Sequence, residues 1–264
     1  THVNFSNQIT LTGQVTYTKK PVTVSISASD KVYDRLVSAS ASASMSGVVS
    51  GDTVSLNTPS ATFSDKDAGN VKTVTMSGIS ISGADVSNYN LQNFTATTTA
   101  NITAKSLTVS GITASNKTYD GNTNATTDVS SASYSGLLSG DNFVVAATGT
   151  FDNKNVGTGK TVTLSSSYSG SDVSNYSITN QASTTANITA KSLTVSGITA
   201  SDKNYDGSTT ATLGTSNILY SGLVSGDSFS GSYTGTFDNK NVGTGKTVTT
   251  VSYTHLTLPT KRIV

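Results

Sequence analysis

The residues best suited to chemistry are tyrosine–aspartate pairs that recur at a fixed interval. Each pair follows a lysine, and 86 residues separate one tyrosine from the next. A tyrosine at a strand end can stack on a sugar, but more often its ring packs in the core and its hydroxyl bonds a turn. We therefore expect the motif to be structural. Its residues are Lys31, Tyr33, Asp34, Lys117, Tyr119, Asp120, Gly121, Lys203, Tyr205, Asp206 and Gly207.

Metal and cross-link chemistry are weaker alternatives for the same acidic residues. A calcium site takes six to eight oxygens, usually from several acidic residues together. Most aspartates here are isolated among Gly, Asn and Ser, which fits side-chain-capped turns better. An intramolecular Lys–Asn or Lys–Asp cross-link usually needs a buried acidic partner, often Glu, and the chain has no Glu. Calcium and the cross-link remain open, and we expect neither metal nor cofactor.

Histidine is too scarce to give the repeats a catalytic base. The two histidines, His2 and His255, lie outside the repeated pattern. A pair of carboxylates at the distance used by glycosidases stays open, but the acidic residues recur with the repeat, and an active site copied in every repeat would be unusual. We expect no enzyme.

The composition argues against two classes of binding partner. The net charge is +1 and only 12% of residues are charged, so the chain has no basic face for nucleic acid or an anionic membrane. No apolar run reaches 18 residues, which predicts no membrane insertion, and no signal peptide opens the sequence. We read the chain as an interior fragment. Cysteine is absent, which suits an extracellular protein without fixing the compartment.

The period defines the domain organisation. An interval of 86 residues matches a small independently folding domain, not one turn of a solenoid. The segment at 100–115 is identical to that at 186–201, and this short junction predicts restricted hinges. The predicted parts are the last strand of a preceding repeat at 1–15, module 1 at 16–102, module 2 at 103–188, module 3 at 189–251 and a non-native tail at 252–264.

Strand signals dominate each module. Ser and Thr make up about a third of the chain, and Val or Leu alternates with them at the period of a half-buried strand. This pattern predicts an all-β fold of tandem small β-sandwich (Ig-like) modules in an elongated array, each roughly 25–35 Å long. A β-grasp-like module with one short helix is the alternative. Strands are expected at 105–110, with Leu107 and Val109 inward, and at 160–164, with Val162 and Leu164 inward.

Aromatic residues that recur in register are the predicted core. Tyr119 and Tyr205 are expected to be largely buried. Phe63, Phe151 and Phe237 occupy equivalent positions beside alternating Val and Leu, so equivalent core sites are expected for them.

Module 3 departs from the pattern after Val251. The segment 252–264 resembles translated sequencing-adapter read-through, and the Asn-Tyr strand expected there is missing. We therefore expect module 3 to lack its closing strand and to expose an unpaired sheet edge.

The motifs together resemble the YDG-type repeat of large bacterial surface proteins, notably filamentous-haemagglutinin-like adhesins. They are Lys-x-Tyr-Asp-Gly, Ser-Gly-Asp, Phe-Asp-Asn-Lys-Asn-Val-Gly-Thr-Gly-Lys-Thr-Val and Ser-Asn-Tyr, and they cover about residues 20–251. Module 1 has Arg35 where the others have Gly121 and Gly207, which puts its turn type in question.

The resemblance implies a secreted or cell-surface, outer-membrane-associated protein whose repeats form a stalk that projects a binding region. A repeated low-affinity module that binds a host or bacterial glycan or protein by avidity is the alternative.

Overall fold

The computed structural model describes Gly13 and residues 16–255, the last three in backbone only. Within this range the fold is all-β, as predicted, and the helical elements are two 3₁₀ turns at Val86–Asn88 and Val173–Asn175. The described residues thus contain no helix of the kind that the β-grasp alternative requires. Segments 1–12 and 14–15, which carry most of the predicted strand of a preceding repeat, lie outside the described residues.

Module 1 contains two main sheets and a two-stranded ribbon. One sheet has the order β4-β1-β9 and the other β2-β10-β7-β6-β3, and β5 pairs with β8. Strand β1 runs parallel to β9 and β10 runs parallel to β2, whereas the other pairs are antiparallel. The strands are β1 Lys20–Ala28, β2 Lys31–Val32, β3 Ser38–Ala39, β4 Ala41–Ser46, β5 Ser55–Asn57, β6 Ala61–Phe63, β7 Gly69–Ser77, β8 Ser80–Ser82, β9 Tyr89–Leu91 and β10 Thr95–Thr103.

Module 2 repeats the two main sheets, as β16-β11-β19 and β13-β20-β18-β17-β14, with β12 paired to β15. Its strands are β11 Lys105–Ser110, β12 Thr113–Ala114, β13 Lys117–Thr118, β14 Asn124–Ala125, β15 Thr127–Asp128, β16 Ser133–Ser135, β17 Val144–Phe151, β18 Gly157–Ser169, β19 Tyr176–Thr179 and β20 Ser183–Thr189. Both strands predicted from sequence are confirmed. Leu107, Val109, Val162 and Leu164 are buried, because every second side chain of β11 and of this part of β18 faces inward.

Module 3 has fewer strands. Its sheets are β21-β25, β22-β24 and β23-β26-β27, so within the described residues its main sheet has three strands where module 2 has five. The Asn-Tyr strand that was expected to be missing from module 3 would fall at 256–264, outside the described residues. The strands are β21 Thr194–Ser196, β22 Thr199–Ala200, β23 Thr210–Ala211, β24 Leu213–Gly214, β25 Leu219–Ser221, β26 Ser230–Phe237 and β27 Val248–His255.

The boundary predicted after residue 251 falls inside β27. This strand pairs with β26 along its whole length, from Val248 opposite Phe237 to His255 opposite Ser230. Residues 252–255 therefore continue β27, although the sequence predicted that the fold ends at 251. Residues 256–264 lie outside the described residues.

The compact units of the chain are out of step with its repeats. The first unit joins module 1 to β16, β19 and most of β11, and the second joins the remainder of module 2 to module 3. In the first unit, Leu107 and Tyr176 of module 2 belong to the same core as Val74 and Phe63 of module 1. The small sheet β16-β11-β19 thus buries its apolar face against the preceding repeat.

The predicted aromatic core holds in modules 1 and 2 and fails in module 3. Phe63 and Phe151 are buried, but Phe237 is only partly buried. Tyr119 is partly buried and Tyr205 is 61% exposed, so the expectation of a largely buried tyrosine was wrong for Tyr205. Tyr33, in contrast, is 1% exposed.

Candidate functional site: the joint between repeats

The lysine of the repeated motif holds its own loop together. Lys117 Nζ donates hydrogen bonds to Asp120 Oδ1 at 2.8 Å, Asn122 O at 2.9 Å and Asn124 O at 3.0 Å. The same ammonium lies 5.5 Å from the ring centroid of Phe151. A cation so surrounded fixes the path of the chain from β13 to β14.

The arrangement recurs in the other two modules. Lys31 and Lys203 each bond the aspartate three positions on at 2.8 Å and two backbone carbonyls five and seven positions on. They lie 5.4 Å from the ring centre of Phe63 and 5.7 Å from that of Phe237. The Lys203 ammonium, with the Ser208 backbone and hydroxyl, lowers the pKa of Asp206 to about 2.

The turn after the motif aspartate is left-handed in all three modules. Gly121 has φ 82° and Gly207 has φ 78°, a region that favours glycine. Arg35 adopts φ 70° at the same position. The sequence left the turn type of module 1 in question, and the structure shows the same left-handed φ there as in the other modules.

The motif tyrosine of module 1 packs against module 2. The rings of Tyr33 and Tyr176 meet edge to face with centroids 5.7 Å apart. The Tyr176 hydroxyl donates to Asp141 Oδ2 at 2.5 Å and accepts from the Leu138 N–H at 3.0 Å. The Ser-Gly-Asp loop of one repeat is thereby fixed over the Tyr-Asp loop of the preceding repeat.

Two cations of module 1 bind carboxylates of module 2 at this joint. Lys66 Nζ lies 3.2 Å from Asp172 Oδ1 and 5.7 Å from the centre of the Tyr33 ring. Arg35 Nε lies 2.8 Å from Asp141 Oδ1, and the Asp141 side chain is 1% exposed. That carboxylate can be buried because the Arg35 cation compensates its charge and the Tyr176 hydroxyl donates a hydrogen bond to it.

Asn175 links the same two modules through uncharged groups. Its Oδ1 accepts the Ala68 N–H at 2.8 Å, and its Nδ2 donates to Asp67 Oδ1 at 3.1 Å. Among the described residues it is the one polar residue that is buried as a whole, which requires that its donors and acceptors be paired.

The joint shifts the pKa values of its groups. Hydrogen bonds from the Asn142 backbone, the Ser171 hydroxyl and the Lys66 ammonium lower the pKa of Asp172 to about 2. Burial, together with the Asp141 carboxylate, raises the pKa of Tyr176 to about 12. The joint is therefore built for an ionised Asp172 and a neutral Tyr176.

A second joint in the other compact unit connects modules 2 and 3, with the aspartate of the Ser-Gly-Asp loop as the partner of the lysine. Lys154 Nζ lies 3.1 Å from Asp227 Oδ1 and 5.8 Å from the Tyr119 ring centre. The Tyr119 hydroxyl and the Lys154 ammonium lower the pKa of Asp227. A Cβ on Gly121 would lie 2.8 Å from Val224 Cγ1, so the turn glycine also allows close approach of the next module.

The burial of the three motif tyrosines follows what packs on them. Tyr33 is covered by Tyr176, which β19 carries. Module 3 has no counterpart of β19 within the described range, and Tyr119 is only partly buried. Tyr205 has neither a following repeat nor a closing strand in that range, and it is exposed.

The sequence predicted only some of the residues that form each joint. It singled out the Lys, Tyr, Asp and Phe positions, and the structure brings Lys, Asp and Phe together within a module. It missed Lys66, Lys154, Asp172 and Asn175, which carry the contacts between modules. The available signal was that the Phe-x-x-Lys and Ser-Gly-Asp stretches recur once in every module.

Two findings bear on the other expectations. The described residues contain no group of three or more His, Cys, Asp or Glu that could hold a metal ion. The described part of the chain also has no helix long and apolar enough to cross a membrane.

The YDG domain family model matches three tandem stretches of the chain, at residues 18–100, 103–186 and 189–259. Among the curated proteins and the solved structures, no match to the chain was found.

Proposed function

Because this chain belongs to the YDG domain family, we propose that its tandem repeats are spacer modules of a large bacterial cell-surface adhesin. They hold a binding region of the parent protein away from the outer membrane. The observation that carries the proposal is that charged side chains of one repeat bind carboxylates of the next repeat.

The joint suits a spacer because it limits rotation between repeats. Lys66 with Asp172, Arg35 with Asp141 and Asn175 with Ala68 attach the modules at three separate points. The Tyr33–Tyr176 ring contact lies beside them. A flexible linker would leave such side chains solvated, and it would transmit position poorly.

The proposed location is extracellular or at the cell surface, and the proposed role is non-enzymatic and independent of cofactors. Low charge and the absence of cysteine suit an exported chain that must not cross-link on its route. The ligand of the parent adhesin, a host or bacterial glycan or protein, is expected to bind elsewhere in that adhesin.

Small-angle X-ray scattering of the full chain tests the spacer role. A compact chain of 264 residues has a radius of gyration of about 18 Å. Three modules of roughly 25–35 Å placed end to end would give about 22–30 Å. A value near the compact one would contradict the spacer proposal.

Glycan-array binding separates the spacer from the repeated binding module. The rival function needs the repeated tyrosine to be accessible, whereas Tyr33 is 1% exposed. We expect no glycan to bind the full chain above background. Binding that disappears on Tyr119→Ala while the protein stays folded would favour the binding module instead.

A further inference from the structure

Module 1 has a longer edge strand than the other two modules. Strand β4 lies at the edge of the sheet β4-β1-β9 and pairs with β1 over six residues, from Ala41 to Ser46. In modules 2 and 3 a turn interrupts the same edge, at 129–132 between β15 and β16 and at 215–218 between β24 and β25. Module 1 has no room for this turn, because its motif lysine and its Ser-Gly-Asp aspartate are 21 positions apart, against 24 in the other modules.

The hydrogen bonds of β1 show how the backbone of β4 is oriented. Val24 of β1 bonds through both its N–H and its C=O to the side-chain amide of Asn93, which follows β9, at 2.9 and 2.8 Å. Just beyond β1, the Ser29 N–H donates to the Ser40 carbonyl at 3.0 Å. Because successive residues of a strand bond to opposite sides, the even-numbered residues of β1 bond toward β9 and the odd-numbered residues bond toward β4.

The backbone groups on the other side of β4 are therefore open. The odd-numbered residues of β1 lie opposite the even-numbered residues of β4, so the odd-numbered residues of β4 point their N–H and C=O groups away from β1. These residues are Ala41, Ala43 and Met45. Within the described residues, β1 is the one strand that pairs with β4. The edge also lacks the usual obstacles to pairing, since its sequence Ala-Ser-Ala-Ser-Met-Ser has no lysine or proline and its register has no bulge.

The exposed face of the same two strands is a ladder of paired hydroxyls. The facing pairs, 2.8–2.9 Å apart, are Thr23–Ser46, Ser25–Ser44 and Ser27–Ser42. A hydroxyl donates one hydrogen bond and accepts up to two. Each hydroxyl of β4 can therefore bond one more hydroxyl on a strand added at the open edge.

The equivalent edge in module 2 shows that a preceding repeat leaves it open. The first sheet of module 2 shares a core with module 1, through Leu107 and Tyr176. Strand β16 nevertheless remains at the edge of the order β16-β11-β19. The contact between repeats thus uses the face of this sheet and not its edge, which leaves the edge for a partner from outside the array.

We propose that β4 is a self-association strand, which pairs antiparallel with β4 of a second copy of this chain. The segment is complementary to itself because exposed serines and small apolar residues alternate about Ala43. Antiparallel pairing about that centre places Ala43 opposite its own copy, and Ser42 opposite Ser44 of the second copy. The outward residues of the two strands would form about six backbone hydrogen bonds, and no charge would be buried. This contact would join two chains side by side, and it does not depend on the spacer role.

Cysteine cross-linking of the full chain tests both the contact and its register, since the chain has no cysteine of its own. A mixture of the Ser42→Cys chain and the Ser44→Cys chain should form a covalent dimer on air oxidation, because directly opposite Cβ atoms lie about 4.5–5.5 Å apart. Either variant alone should give at least about tenfold less dimer, because identical positions then lie diagonally, about 7–8 Å apart and too far for a disulfide.

The matched control is the short edge of module 2. Ser133 and Ser135 of β16 are exposed, as Ser42 and Ser44 are. A mixture of the Ser133→Cys chain and the Ser135→Cys chain should give no more dimer than either of these variants alone, because three residues interrupted by a turn offer too little backbone to pair.

Charge substitution tests the reversible contact by sedimentation velocity at low salt. Ser42→Lys combined with Ser44→Lys should weaken association at least about tenfold, because it places like charges directly opposite each other. Mixing this variant with the Ser42→Asp, Ser44→Asp variant should restore association, because each lysine then meets an aspartate. Restoration would also show that both variants remain folded.

Three results would overturn the proposal. The first is a mixture of Ser42→Cys and Ser44→Cys that forms no more dimer than either variant alone. The second is equal cross-linking at the control positions of β16. The third is association that the paired lysine substitutions leave unchanged, which would place the contact on another surface of the chain.

Discussion

At the scale of single residues, the lysine of the repeated motif makes the contacts that are the same in all three modules. The tyrosine was the more conspicuous residue in the sequence, but its burial differs from module to module. The lysine, in contrast, keeps an aspartate partner at 2.8 Å and an aromatic face below it in all three modules. Its position is therefore set by its own module.

Removal of this ammonium should weaken the five-stranded sheet of module 2. Lys117→Met would leave Asp120 and two backbone carbonyls without their cation, so a loss of about 1.5–3 kcal/mol in unfolding free energy is expected. Amide exchange at 149–151 would report the loss. Lys240→Met changes an exposed lysine in the loop between β26 and β27 of module 3. It is the matched control and should change amide exchange at 149–151 little. Equal effects of the two substitutions would contradict the assignment.

The motif phenylalanines should differ in how much they contribute to stability, according to their burial. Phe151 is buried and Phe237 is only partly buried. Phe151→Ala is expected to cost about 3–5 kcal/mol, and Phe237→Ala clearly less. Denaturant unfolding followed by amide exchange would measure both. A loss below about 1 kcal/mol for Phe151→Ala would show that this ring is not core.

At Arg35 two effects oppose each other. A left-handed arginine costs roughly 1–2 kcal/mol, and loss of the cation beside buried Asp141 costs about 1–3 kcal/mol or more. Arg35→Gly should therefore destabilise the joint slightly in the parent chain. In an Asp141→Asn background the same change should cost less, because the ion pair is already lost and only the hydrogen bond of Arg35 to the Ser139 carbonyl opposes the relief of backbone strain. Thermal unfolding of the four variants would test this, and an equal loss of stability in the two backgrounds would refute it.

At the scale of elements, the joint depends on which strand carries which partner. Strand β19 supplies Tyr176, and the 3₁₀ turn before it supplies Asn175. Both meet loops of module 1. Because the two neighbouring repeats contribute different loops, the joint is heterologous and can continue from one repeat to the next.

The strands could be predicted from sequence and the joint could not. Alternation of Leu107 and Val109 with Ser and Thr specifies which side of β11 faces inward. No such pattern tells that Leu107 enters the core of the preceding module, because period two fixes a face and not the partner that covers it. The role of Arg35 was harder still to predict. The sequence shows that an arginine stands at a turn that favours glycine, but the residue that stabilises it, Asp141, is 106 positions away.

The joint should lose stability at high pH because of Tyr176. Its pKa is raised from 10.0 to about 12, so the neutral hydroxyl stabilises the fold. This contribution is fully present below pH 10 and is lost as the pH rises through about 12. The ultraviolet absorbance of tyrosinate in the parent chain, minus that of Tyr176→Phe, should show a midpoint near pH 12. A midpoint near the usual value would mean that Tyr176 does not bond Asp141.

At the scale of the whole molecule, the repeat in the sequence and the compact unit in space are different things. The first compact unit joins module 1 to the first sheet of module 2, and the second joins the rest of module 2 to module 3. A cut at a repeat boundary would therefore divide a core, such as the one that Leu107 and Tyr176 share with module 1. We expect single repeats to be less stable than the tandem chain, as in other arrays where neighbours cover one another.

The measurement that tests the central claim most directly is the rate of tyrosine nitration in the intact chain, resolved by mass spectrometry. If a following repeat covers the motif tyrosine, Tyr33 should react slowest, Tyr119 faster and Tyr205 fastest, in line with their burial. Lys66→Ala should speed the reaction of Tyr33 and leave Tyr205 unchanged. Equal rates at Tyr33 and Tyr205 in the folded chain would contradict the joint and return the tyrosines to the role of exposed binding residues.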